Sequence, residues 1–119
     1  MQQMITRVIA VVSILMCAAG ASFAHAVLVE ATPPVHGSVA GPAVDFRLRF
    51  NSRIDAARSV LSLVLPDGTV RALGAGKNLS ADTLSIKADH MQSGHYTLRW
   101  QVLAVDGHIT RGEVPFEVR

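Results

Sequence analysis

Five histidines are the side chains in this chain best suited to hold a metal ion: His25, His36, His90, His95 and His108. Two of them stand out by position. His25 lies in "SFAHAVL", directly after Ala24, where Ser22 and Ala24 are small residues at the −3 and −1 positions of a signal-peptidase cut. Cleavage there would give His25 a free amino group beside its imidazole. Amine and imidazole of one residue can close a chelate ring on one ion. An α-amino group has a pKa of about 7.7–8.0, so a metal displaces its proton at modest cost near neutral pH. His108 lies in "AVDGHITRGE", one glycine away from Asp106. If a strand continued through both, they would point to one side about 7 Å apart. A turn at Gly107 would bring them closer, and by spacing alone "DG" reads first as a turn between two strands.

The segment before His25 is not counted as fold. Arg7 supplies a positive charge, and Val8 to Ala19 is almost continuously apolar over about a dozen residues, short of the ~20 that a membrane-spanning helix needs. Residues 1–24 are therefore expected to be a cleavable signal peptide, and 25–119 a single domain of 95 residues. An uncleaved anchor is the weaker alternative. A cut after Ala26 also satisfies the small-residue rule and would discard His25. The sole cysteine, Cys17, falls in the leader, and the bulky Met16 before it argues against lipoprotein processing. The mature domain thus has no disulfide and no thiolate ligand. Without Arg7, 10 basic side chains face 9 acidic ones, a balance that offers no electrostatic case for nucleic acid.

Beyond residue 25 the apolar pattern has period two. Val44, Phe46, Leu48 and Phe50 share one face of "VDFRLRF"; Tyr96, Leu98, Trp100 and Val102 share one face of "YTLRWQV"; Val114, Phe116 and Val118 do so in "VPFEV". Each predicts a half-buried strand. "SVLSLVL" (59–65) is apolar on both faces, which suits a central strand, and "PDGT" (66–69) is a turn leading into "VRAL". "DTLSIKA" (82–88) is another candidate strand, and "TPPVHGS" (32–38) reads as a loop between the first two strands. No window carries an amphipathic helix or a repeat. The expectation is an all-β fold: an antiparallel Greek-key β-sandwich, immunoglobulin-like or cupredoxin-like, of about seven strands. Pro115 cannot donate to a ladder, so the last strand should lie at an edge, at least locally.

"HAVLVEATPPVHGSV" together with "GHYTLRWQVLAVDGHITRGEVPFEV" resembles the CopC family of periplasmic copper-binding proteins. Tyr96, Trp100, Asp106, Gly107, His108, Gly112, Phe116 and Val118 match the family's C-terminal block in order, and the resemblance spans essentially the whole mature chain. It implies a Greek-key sandwich holding one Cu(II) per chain in copper homeostasis or resistance. By that resemblance His25 supplies amine and imidazole, His108 a second imidazole, and Asp106 a weaker carboxylate ligand. It also implies a periplasmic location and an inner-membrane partner of the CopD type, which here would be a separate polypeptide, since no membrane span follows the last strand. A monomer is expected.

Two departures refine the expectation. Some family members bind Cu(I) through a methionine-rich loop, whereas this mature chain has one methionine, Met91. A Cu(II)-only protein follows. Some members carry an acidic ligand after the second strand, where this chain has Asn51, Ser52 and Arg53, so water or His36 is left to complete the site. An N-terminal histidine with a second histidine also resembles the copper site of polysaccharide-cleaving monooxygenases. Ninety-five residues with one tryptophan leave little to hold a polymer, so the expected role is binding, not catalysis, and no catalytic residue is assigned. A metal-free structural sandwich is the remaining alternative.

Overall fold

The computed structural model describes residues 26–119. The seven strands expected from the sequence all form, and two more join them. In chain order these are β1 (Leu28–Thr32), β2 (Gly37–Val39), β3 (Val44–Phe50), β4 (Ile54–Val64), β5 (Val70–Gly74), β6 (Lys77–Ser80), β7 (Thr83–Ala88), β8 (Gly94–Ala104) and β9 (Ile109–Val118). They make two sheets, one ordered β1-β3-β7-β6 and the other β2-β9-β8-β4-β5. Among the described residues no helix is long and apolar enough to cross a membrane.

The period-two pattern translates directly into burial. Along β3, Val44, Phe46, Leu48 and Phe50 are buried while the intervening residues are exposed. Tyr96, Leu98, Trp100 and Val102 of β8, and Val114, Phe116 and Val118 of β9, face them from the other sheet. Aromatic edges join the layers: Phe46 meets Phe116 at 5.3 Å and Phe50 meets Trp100 at 5.1 Å, both edge to face. Such pairs favour this geometry over a flat sandwich because the positive ring edge meets the negative face. Trp100 lies directly opposite Gly112 in the β8–β9 ladder. A Cβ at Gly112 would come within 2.3 Å of the indole, so only glycine leaves room for the ring.

Three features depart from the simplest reading. β2 forms inside the stretch expected to be loop, and it pairs with β9 in parallel, so the sandwich is mixed and not wholly antiparallel. It covers Phe116–Val118, and the His36 N–H reaches the Pro115 carbonyl, so the outer edge of β9 opens just before Pro115, whose ring nitrogen has no hydrogen to donate. β4 begins five residues before its apolar run, at Ile54. Its ladder to β8 breaks between Asp55 and Val60, and there β4 leans on the edge of the other sheet: Ala56 N–H donates to Asn78 Oδ1 (3.2 Å) and Asn78 Nδ2 donates to the Ile54 carbonyl (3.2 Å). From Val60 to Val64 it is the central strand expected, between β8 and β5.

Two tight turns are held by carboxylates. Asp67 accepts from the hydroxyl and the backbone N–H of Thr69, and Asp82 accepts from the hydroxyls of Thr83 and Ser80. These bonds favour the ionised carboxylates and lower both pKa values, for Asp67 through the Thr69 hydroxyl first and for Asp82 through the Thr83 hydroxyl first.

Two outcomes are expected. Gly112→Ala should lower stability by about 1–3 kcal/mol through overpacking against Trp100, read as a lower urea midpoint at unchanged slope. Because the folded-state pKa values of Asp67 and Asp82 lie below the ordinary value of 3.8, their contribution is present above that value and lost as pH falls through the lowered ones. Acid titration of unfolding should show that loss in the native chain, and Asp67→Asn/Asp82→Asn should flatten it.

Candidate metal centre

Asp106 and His108 sit on the hairpin between β8 and β9. The turn reading of "DG" is the one that holds: Gly107 takes a left-handed φ of 92°, its N–H donates to the Ala104 carbonyl (2.9 Å), and the Ala104 N–H donates to the His108 carbonyl (2.9 Å). Reversal at Gly107 replaces the same-side strand geometry and folds the carboxylate back onto the histidine. Asp106 Oδ1 accepts the His108 N–H at 3.1 Å, and Asp106 Oδ2 lies 3.2 Å from His108 Nδ1. Both side chains remain about half exposed, at 40% and 50%. The backbone N–H of His108, and secondarily its ring, hold the Asp106 carboxyl below its ordinary pKa.

This arrangement has a chemical consequence. A carboxylate on Nδ1 orients an imidazole and makes Nε2 the more basic nitrogen, which is how metal-binding histidines are commonly held. Imidazole and carboxylate are donors that fit a divalent first-row ion. Two donors do not complete a site, and among the described residues no group of three or more His, Cys, Asp or Glu side chains converges to hold a metal. His25, the other expected nitrogen donor, and the proposed cleavage at Ala24 lie outside the described residues.

The residues that follow His25 are well defined. Ala26 is wholly buried in the core. Val27 exchanges two hydrogen bonds with Asn51: its N–H donates to Asn51 Oδ1 at 2.8 Å, and its carbonyl accepts the Asn51 N–H at 3.0 Å. Two residues on, the Arg53 carbonyl accepts the N–H of Val105, at the tip of the Asp106–His108 hairpin (3.3 Å). The 51–53 loop therefore ties the start of β1 and the hairpin to one end of the sandwich.

The remaining histidines go elsewhere. His95 is the second residue of β8, whose 11 residues carry the chain about 35 Å to Ala104, and it pairs across the ladder with Glu117. The His36 N–H donates to the Pro115 carbonyl at 2.7 Å, and His36 lines a groove of about 340 Å³ together with His95 and Glu117. His36 is thus at the end opposite Asp106 and His108. The expectation that it could complete the site fails, because β2 runs parallel to the last residues of β9 and carries His36 away. Met91 is also at that far end, in the connection from β7 to β8, with its N–H on the Pro42 carbonyl. It is buried, and Arg71 Nη2 donates to its sulfur at 2.9 Å. A cation on the thioether opposes any second cation there.

Comparison with known proteins agrees with this geometry. The sequence model of the CopC domain matches residues 28–119. Protein YobA of Escherichia coli K12 is 29% identical over 100 residues, which cover 82% of this chain and 81% of YobA. The crystal structure of CopC from Methylosinus trichosporium OB3b superposes with a TM-score of 0.70 at 29% identity, covering 79% of this chain and 93% of that one. PcoC, a methionine-rich copper resistance protein from Escherichia coli, shares the fold at a TM-score of 0.65 and 21% identity, over 81% of this chain and all of that one. With a two-sheet sandwich, the Asp-Gly-His hairpin at one end and a family match that runs from β1 to the last residue, the chain belongs to the CopC family of copper-binding proteins.

Proposed function

We propose that this protein binds one Cu(II) ion in the periplasm, for copper homeostasis or resistance, and passes it to an inner-membrane partner of the CopD type. Membership of the CopC family makes it a binding protein and not an enzyme. The ligands in this reading are the amine and imidazole of His25, freed by cleavage after Ala24, the imidazole of His108 and, more weakly, the carboxylate of Asp106. The observation that carries it is the 51–53 loop. That loop bonds Val27 on one side and Val105 on the other, so Val27 is held at the end of the sandwich that carries Asp106 and His108.

The donor chemistry favours copper. Three nitrogens and an oxygen suit a tetragonal Cu(II) site, and Cu(II) stands above the other divalent first-row ions in affinity for such donors. Zinc can use the same side chains, but its tetrahedral preference is a poorer match to a chelating amine–imidazole pair. A Cu(I) site needs several soft sulfur donors, and Met91, the one methionine among the described residues, is buried beneath Arg71.

Chain starting at His25, checked by intact mass, should take up one Cu(II) and show nitrogen hyperfine structure in its electron paramagnetic resonance spectrum. Placing one glycine before His25 keeps the imidazole but moves the amine away. It should weaken Cu(II) binding at least about tenfold, or about 1.4 kcal/mol, in a competition titration. Equal affinity for the two forms would overturn the amine chelate. In a parallel titration against a soft Cu(I) chelator, the protein should retain no Cu(I); stoichiometric retention would refute the Cu(II)-only assignment.

A further inference from the structure

We infer that Asn51 is a positioning residue for the metal centre, a clamp that presents the chain's first residue to the ion without touching the ion itself. The inference rests on the amine chelate proposed above and adds the part of the fold that aims it.

A chelate built on a chain terminus meets a specific difficulty. The first residues of a domain are poorly ordered unless tied down, and an unfixed terminus loses conformational freedom whenever it closes on a ligand. β1 begins only at Leu28, paired with Phe50, so the ladder ends three residues after His25. The bonds beyond that ladder are the two that Asn51 makes with Val27, one from its side chain and one from its backbone. They extend the pairing by one residue past the end of the strand. Ala26, buried in the core, fixes the next.

The clamp itself has a rigid base. Phe50 N–H donates to the Asp82 carbonyl at 2.9 Å and Ile54 N–H to the Ala81 carbonyl at 3.0 Å, so both ends of the 51–53 loop are pinned to the turn between β6 and β7. Phe50 and Ile54 are buried below it. The same loop receives Val105 through the Arg53 carbonyl. One short segment thus sets the position of the chain start relative to the hairpin that carries His108. An asparagine suits the task because its Oδ1 accepts a backbone N–H.

The test uses protein that begins at His25, ¹⁵N-labelled, as native chain, Asn51→Ala, Asn51→Asp and Val27→Pro. In the absence of metal, amide exchange at Val27 should be slowed in the native chain and at least tenfold faster in Asn51→Ala. Asn51→Asp retains the acceptor and should retain the protection. With Cu(II), Asn51→Ala should bind about five- to tenfold more weakly with an unchanged paramagnetic resonance spectrum, and Asn51→Asp should recover native affinity or better. Val27→Pro removes the donor from the other partner and should weaken binding by a similar factor, which covers the case in which Asn51→Ala does not fold. Unchanged affinity in both Asn51→Ala and Val27→Pro, or an altered spectrum in Asn51→Ala, which would make Asn51 a ligand, overturns the inference. The glycine-extended chain separates the two claims: if it binds as the native chain does, the amine chelate fails, while Val27 exchange still reports on the clamp.

Discussion

A metal site that takes a nitrogen from the chain's own end depends on where that end is held. Everything else in this molecule is compatible with many uses, but an amine–imidazole pair is productive only if the terminus emerges beside a second imidazole. In this fold the 51–53 loop makes three hydrogen bonds, two to Val27 and one to Val105, which hold the described start of the chain at the end that carries the hairpin. The sandwich behind it keeps the loop from drifting. Phe50, on one side of the loop, packs edge to face on Trp100 of the other sheet, and Ile54, on the other side, starts the strand that bridges the two sheets. Hydrophobic packing is thereby converted into positional accuracy at an exposed edge.

The two ends of the sandwich are chemically distinct. The hairpin end has a half-exposed imidazole oriented by a half-exposed carboxylate. The far end has His36, His95 and Glu117 along a shallow groove, and a thioether sealed under a guanidinium. That division follows from strand direction. β8 places His95 at its start and delivers the Asp106–His108 hairpin at its finish, so the length of one strand separates the two sets. The burial of Met91 under Arg71 leaves its thioether closed off from a second cation.

Much of this was legible in the residues. Strict alternation in "VDFRLRF" and "YTLRWQV" marks half-buried strands because a pleated backbone sends successive side chains to opposite faces, and each apolar residue in them is indeed buried. Asp106-Gly107 reads as a turn because only a residue without Cβ enters the left-handed region freely, and Gly107 does so. β2 and β6 were not legible. Each is three or four residues long, too short for a period to show, and each exists only because a distant strand offers it an edge: β9 for β2, β7 for β6. β4 hid its first half for a related reason, since "RIDAARS" alternates poorly where the β4–β8 register shifts between Asp55 and Val60.

The candidate site divides along the same line. Residue type and spacing marked His108 and Asp106 as candidate donors joined by a tight turn, and the resemblance to the CopC family, not the spacing, raised them to expected ligands; the turn and the contact of Asp106 with His108 depend on side-chain chemistry and on a few bonds near in sequence. Tertiary structure decided that His36 is excluded by its place beside β9, and that the 51–53 loop ties Val27 and Val105 to one end of the sandwich. Those outcomes come from hydrogen bonds between residues 24 or more positions apart, as from Val27 to Asn51 and from Val105 to Arg53, and from the path of a parallel strand. Such contacts exist only after the core has brought distant backbone together, and no local pattern carries them.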